Sequence, residues 1–238
     1  MCPMIAGVSG HLLLFDIDGT LLRSEGLGRR ALDRAFQLRY GWEGATNGVS
    51  FLGATDPGIM ADVFARFGRG AQEARAEQEA LFALYARLLA EEAALTGARC
   101  RALPGVVPLL EHLVARPEHV VGLLTGNVRE GARVKLEVTR LQGYFRLGAY
   151  GEDAETREAL LPVARARARE AGWAGTDPAR IVVIGDTPRD VAVARAHGAR
   201  AVAVATGWTS TEELAACRPD ALLPDLSRLD EALAALLP

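Results

Sequence analysis

Leu12-Leu13-Leu14-Phe15-Asp16-Ile17-Asp18-Gly19-Thr20 is the stretch on which the fold turns. Its apolar run reads as a strand covered on both faces, the kind that parallel sheets bury. The strand delivers two carboxylates, a glycine and a hydroxyl at its carboxyl end, and Gly19 lets the chain leave tightly. Carboxylates this close repel unless a cation or a shared proton holds them. An oxygen-rich site of this kind suits Mg²⁺, which keeps waters and takes one or two carboxylates plus a substrate phosphate. A strand followed by an Asp-rich turn is the plainer reading, since Asp-Gly is a common turn signal. The stretch alone leaves both open.

The 238 residues carry a net charge of −3 and are half hydrophobic, enough for a core and far from the disordered range. No basic footprint for nucleic acid is present. Arginine supplies nearly all the cationic charge, and Lys135 is the only lysine. Cys2, Cys100 and Cys217 are isolated and suggest neither a disulfide framework nor a zinc site, so a reducing cytoplasm is the expected compartment. No apolar run has the length of a membrane span, and no basic n-region precedes the N-terminal apolar stretch.

Further buried strands are expected at His119 to Leu124, Ile181 to Ile184 and Ala201 to Ala205, with a weaker one at Leu147 to Tyr150. Helical periodicity separates them: Val106, Leu110, Leu113 and Val114 before the second strand, and Leu160, Leu161, Ala164, Ala168 and Ala171 before the third. Val191, Ala194 and Arg195 mark another helix, closed by Gly198. This alternation predicts an α/β fold with a Rossmann-like parallel sheet. Between about residues 22 and 101 no strand is expected, only amphipathic helix. One helix runs roughly Glu25 to Tyr40. A second starts at Asp56-Pro57, read as N-cap and N1, carries Met60, Val63, Phe64 and Phe67, and ends at Gly68. A third carries Leu81, Leu84, Tyr85, Leu88 and Leu89 and stops at Gly97. The expected division is a core of residues 1–21 and 102–238 with an inserted helical cap of residues 22–101, set over the sheet edge where ligands bind in such folds.

Two more strands end in chemistry. Leu123-Leu124-Thr125-Gly126-Asn127 puts a hydroxyl and close-approaching amides at a strand-to-helix junction, able to cradle a phosphate or simply to cap the next helix. Ile184-Gly185-Asp186-Thr187-Pro188-Arg189-Asp190 emits one acid at the strand end and another a turn into the helix, and it too reads as an N-cap. In a parallel sheet all these ends share one edge, so the three features converge, and three coincident caps become the poorer explanation.

In this order, Asp16-Ile17-Asp18-Gly19-Thr20, Thr125-Gly126-Asn127 and Gly185-Asp186-Thr187 with Asp190 resemble the haloacid dehalogenase superfamily, over essentially the whole chain. The helical insertion resembles that superfamily's C1 cap. Gly53-Ala54-Thr55-Asp56-Pro57 resembles the Gly-x-Thr-Asp segment of phosphoglycolate phosphatase-like caps. The resemblance implies Asp16 as nucleophile, forming an aspartyl-phosphate, and Asp18 as general acid and base. It implies Mg²⁺ held by Asp16, Asp186 and the backbone carbonyl of Asp18, with Asp190 ordering metal-bound water. Thr125 would donate to a phosphoryl oxygen. Gly126 and Asn127 would border the substrate from the core, and Thr55 and Asp56 from the cap.

One departure stands out. The family's lysine before the last strand is missing from Gly151-Glu152-Asp153-Ala154-Glu155-Thr156-Arg157-Glu158. Arg157, the only cation between Arg146 and Arg165, is the expected replacement, as a wider planar fork. Lys135, on the helix after Thr125, is expected to be solvated.

The leading expectation is a Mg²⁺-dependent phosphatase acting on a small phosphorylated metabolite, phosphoglycolate by similarity, as a monomer or homodimer in the cytoplasm without nucleic-acid or membrane partners. A phosphosugar mutase of the β-phosphoglucomutase type is the nearest alternative, and a catalytically weak binding protein on the same fold is another. A dehalogenase would have no need of Asp18, and a signalling receiver would be about half as long and lack the helical insertion.

Overall fold

β1 (Leu12–Phe15) lies at the centre of a six-stranded sheet. In the computed structural model, which describes residues 8–96 and 100–238, it pairs with β4 (Val120–Leu124) on one side and β6 (Ile181–Gly185) on the other. β5 (Leu147–Ala149) lies outside β4, and β7 (Arg200–Val204) and β8 (Ala221–Leu223) continue beyond β6, all parallel. The chain moves from β1 outward to β4 and β5, then crosses back to β6. That reversal opens a crevice at the carboxyl end of β1.

The pleat sends alternate β1 residues to opposite faces. Leu13 and Phe15 join a core with α4 (Val106–Val114), α5 (Arg129–Thr139) and α9 (Leu229–Leu236). Leu12 and Leu14 join the other core, with α6 (Leu160–Glu170), α7 (Pro188–Ala196) and α8 (Thr211–Ala216). All four are fully buried, each burial stabilising by roughly 1.5–3 kcal/mol, and this is why the run carries no polar residue before Asp16.

Helices α1 (Leu27–Tyr40), α2 (Asp56–Arg66) and α3 (Ala71–Thr96) form the inserted block. Its own core gathers Phe36, Met60, Phe64, Leu81, Tyr85 and Leu88, and it continues onto Val128 and Val134 beside and within α5. Trp42 stacks on Phe67 with ring centroids 4.3 Å apart. Contrary to the strandless expectation for residues 22–101, β2 (Leu22–Arg23) pairs antiparallel with β3 (Arg101–Ala102) at the block's two ends. Two-residue strands are too short to show alternation in the sequence. Their pairing puts both crossings of the chain side by side.

The start of α2 also differs from its reading. Thr55, not Asp56, is the N-cap, its Oγ1 accepting from Gly58 N at 3.1 Å, and the helix begins at Asp56. The Asp56 carboxylate is thereby released for another partner. Gly68 closes α2 as expected, donating to Ala65 O. Cys2 and the expected stop at Gly97 lie outside the described residues. Among the described residues Cys100 and Cys217 are free thiols, and no helix is long and apolar enough to cross a membrane.

Candidate active site

β1 ends on Asp16, whose amide donates to Ile184 O at 2.9 Å and so continues the β1–β6 ladder by one step. Its carboxylate sits with those of Asp186 and Asp190, all buried, with one oxygen from each within 4.8 Å of the others. Burial pushes Asp16 up to about 6, opposed by Arg157 and aided by Asp190. Burial, then Asp16 and Asp190, push Asp186 well above the carboxylate range. Gly19 is required here: at φ +84° a Cβ would fall 2.3 Å from Asp186 Oδ2. Three hard-oxygen groups whose charges oppose one another fit a divalent cation. Asp190 is the least available as a direct ligand. Its Oδ1 accepts from Arg157 Nη2 at 2.6 Å, and its Oδ2 from the Thr187 hydroxyl at 2.7 Å and amide at 3.1 Å.

Arg157, in the turn before α6, is buried and reaches the acidic cluster. Its Nη2 lies 3.1 Å from Asp16 Oδ2 as well as on Asp190, and its Nη1 donates to Gly53 O at 3.4 Å. Its Nε is buried with no hydrogen-bond partner.

The reading of Lys135 is overturned. The side chain is 4% exposed, and its Nζ donates to Asp18 Oδ2 and to Asn127 Oδ1, each at 2.6 Å. Val128, Ala132, Lys135 and Leu136 follow helical spacing along one buried face of the chain. That spacing, and a lone lysine among arginines, were the signals available in the sequence. Asn127 Nδ2 also donates to Asp18 Oδ2, at 2.9 Å, and Ser24, which the motifs did not pick out, donates to Asp18 Oδ1 at 3.1 Å. Burial would raise Asp18, but the Lys135 charge and these hydrogen bonds outweigh it and hold the carboxyl below its ordinary value. Thr125, fully buried, accepts at its hydroxyl from Asn127 N and Nδ2, which leaves its own proton to donate.

The segment expected to border substrate from the insertion also fastens the block to the core. Asp56 Oδ2 accepts from Val128 N at 2.8 Å, satisfying an open amide at the start of α5, while Asp56 N donates to Gly126 O at 2.7 Å. Gly126 permits the contact, because a Cβ there would lie 2.1 Å from Ala54 O. Asp56 still lines the cavity, whereas Thr55 does not and spends its hydroxyl on the cap of α2.

Between block and core lies a cavity of about 480 Å³. Asp16, Asp18, Asp186, Gly126, Asn127, Lys135 and Arg157 line its floor, and Phe51, Leu52, Ile59 and Tyr85 its upper wall. Trp208, from the loop after β7, stands at the side and has no motif to announce it.

A sequence profile described as haloacid dehalogenase-like hydrolase matches residues 11–198. A phosphoglycolate phosphatase from Synechococcus elongatus is 34% identical over 134 residues, covering 56% of this chain and 60% of that protein. The match thus spans less than two thirds of the relative's length. Among solved structures, CbbY from Rhodobacter sphaeroides in complex with phosphate superposes with a TM-score of 0.68 at 20% identity, covering 95% of this chain and 99% of that one. A hydrolase from Pseudomonas syringae gives 0.67 at 20% identity, covering 97% and 100%. At such identities the two structures share the fold. With the profile spanning most of the sequence and all of its acidic strand ends, the chain belongs to the haloacid dehalogenase-like hydrolase family.

Proposed function

We propose that this protein is a Mg²⁺-dependent phosphatase that hydrolyses a small phosphorylated metabolite through an aspartyl-phosphate, with residues 22–101 acting as a cap over the site. The observation that carries the reading is the setting of Asp16: a buried carboxylate at the end of β1 on the cavity floor, 3.1 Å from a buried guanidinium and grouped with Asp186 and Asp190. The Synechococcus relative's activity supports phosphomonoesters as the substrate class.

Asp16 Oδ attacks phosphorus, the bond to the leaving oxygen breaks, and a proton from Asp18 goes to that oxygen. Water then attacks the phosphorus of the aspartyl-phosphate, gives its proton to Asp18, and releases inorganic phosphate with Asp16 restored. Asp18 is held ionised here by Lys135, the state that second step needs. A phosphate dianion entering beside it favours the protonated state that the first step needs. The unpartnered Arg157 Nε and the Thr125 hydroxyl proton are donors for phosphoryl oxygens. Asp16 and Asp186 would hold Mg²⁺ together with the Asp18 backbone carbonyl, Asp190 acting through ordered water. When bound, Mg²⁺ offsets repulsion between the anionic nucleophile and the anionic substrate.

The test is incubation with phosphomonoesters, with Mg²⁺ or with EDTA, followed by acid quench and peptide mass spectrometry. Release of phosphate only with Mg²⁺, and one added phosphoryl group on the Asp16 peptide, is the expected result. Metal-independent turnover, or a phosphoryl group elsewhere, would refute the mechanism.

A further inference from the structure

Five large apolar side chains are exposed among the described residues: Leu38, Leu52, Leu95, Val114 and Trp208. Such residues scattered singly need no explanation. Two of them, however, line the cavity above Asp16: Leu52 at 41% and Trp208 at 64% exposure. With Phe51, Ile59 and Tyr85 they give the cavity an apolar upper half over a charged floor.

The Trp208 indole is braced from behind. Arg23 lies over its ring at 5.7 Å from the centroid and is itself held by Thr206 O at 2.6 Å. The Thr206 hydroxyl in turn donates to Gly19 O at 2.5 Å, which ties this loop to the end of the catalytic strand. A fixed, open indole beside a reaction centre is a stacking surface, since offset rings attract beyond the area they bury.

The charges of the upper wall point the same way. Arg29 is the cap cation that lines the cavity, and each of its terminal nitrogens already donates to a cap carbonyl, Thr46 O at 2.9 Å and Val49 O at 3.2 Å. Its guanidinium lies over the Phe51 ring at 4.1 Å. It braces the cap's own 46–49 turn through neutral carbonyls and lies on the Phe51 face, so it is oriented toward the cap's own residues. Beyond Arg29, the leaving group meets the side chains of Phe51, Leu52, Ile59 and Tyr85, a wall that is mostly apolar. Size agrees: about 480 Å³ falls within the usual range of ligand pockets, roughly 300–1,000 Å³, and leaves room for a leaving group beside the phosphate.

Resting on the phosphatase reading, we propose that the leaving group of the substrate is an alcohol bearing a planar, uncharged aromatic or heteroaromatic ring, stacked on Trp208 and roofed by Phe51 and Leu52. Phosphate binds on the Asp16 floor, and the ring fills the apolar half.

Primary alkyl phosphates matched in leaving-group chemistry test this: ethyl phosphate, phosphoglycolate, glucose 6-phosphate, benzyl phosphate and naphthylmethyl phosphate, with kcat/KM measured at saturating Mg²⁺. The ring esters should be preferred over ethyl phosphate and phosphoglycolate by about tenfold, near the upper end of a ring–ring contact. Trp208→Ala should erase most of that ratio and Trp208→Phe keep most of it. If all the esters are hydrolysed but the ring esters are no better, or if the ratio survives Trp208→Ala, the ring proposal falls and the phosphatase stands. If none is hydrolysed, the phosphatase reading falls, and calorimetry with Asp16→Asn decides the rest. Naphthylmethyl phosphate binding more tightly than inorganic phosphate, with the advantage lost on Trp208→Ala, upholds the ring site; equal affinities overturn it.

Discussion

Lys135 Nζ lies 2.6 Å from Asp18 Oδ2, so the chain's one lysine is bound to the second carboxylate of the β1 motif, two residues after Asp16. A second cation, Arg157, serves Asp16 from the opposite side of the chain's fold, arriving before α6 rather than from α5. Each carboxylate of the motif thus has a basic partner of its own. The two partners differ in kind: a compact ammonium at Asp18 and a planar fork at Asp16.

Exchanging the carboxylates should separate their roles. Asp16→Asn abolishes turnover, because an amide cannot form the acyl-phosphate. Asp18→Asn lowers kcat by about 10²–10⁴-fold while leaving a competent nucleophile. Steady-state rates of the purified variants check this, and near-normal activity in Asp16→Asn would remove the mechanism.

The two cations should both matter. Lys135→Met leaves Asp18 and Asn127 without their shared partner, and should lower kcat by about tenfold or more and stability by roughly 1–3 kcal/mol. Arg157→Ala should cost at least about tenfold in kcat at saturating Mg²⁺, with Arg157→Lys recovering part of it. Urea denaturation alongside kinetics distinguishes the effects, and wild-type behaviour of Lys135→Met would mean that the contact is incidental.

Metal binding should rank the acids. Asp186→Ala should weaken Mg²⁺ activation more than Asp190→Ala, because both Asp190 oxygens are already engaged by Arg157 and Thr187. Titrating activity with Mg²⁺ reads the two constants. The reverse order would place Asp190 in direct contact with the metal.

The fastening of residues 53–56 to the core can be probed at Gly126. Gly126→Ala would drive a Cβ into Ala54 O, 2.1 Å away, and force the 53–56 segment off the core. A displacement of this size should cost about 10²-fold in kcat/KM. Unchanged kinetics, with a folded protein by circular dichroism, would mean the segment is free to shift.

Asp56 gives a pH signature. Burial raises it to about 6, partly offset by Lys135 and the Val128 amide, with Asp18 and Glu152 adding to the rise. A raised folded-state pKa means the folded protein holds this proton more tightly. The stabilisation is full below pH 4, declines as pH rises toward 6, and is gone above it. Asp56→Asn keeps an acceptor for Val128 N and cannot ionise. Its Tm relative to wild type should therefore improve between pH 4 and 6 and level off above. A constant difference across that range would contradict a buried, strained carboxylate.

Much of this protein could be read along the chain. The runs at Leu12, Val120, Ile181 and Ala201 are buried on both faces, so their strands needed no partner to be recognised. Asp16, Asp18, Thr125, Asp186 and Asp190 follow because parallel strands bring their carboxyl ends to one edge. Tertiary structure alone decided the partnerships. A helical lysine looks the same in sequence whether it meets water or Asp18, and only the packing of α3 and α5 closes that face and turns Lys135 inward. Asp56 looked like the cap of its own helix, yet Thr55 took that place, and the Asp56 carboxylate accepted from the Val128 amide at the start of α5. Trp208 belongs to no periodic pattern and matters only because β7 ends beside β6. Local periodicity records which face of an element is buried; which groups meet across that face depends on contacts between residues far apart in the chain.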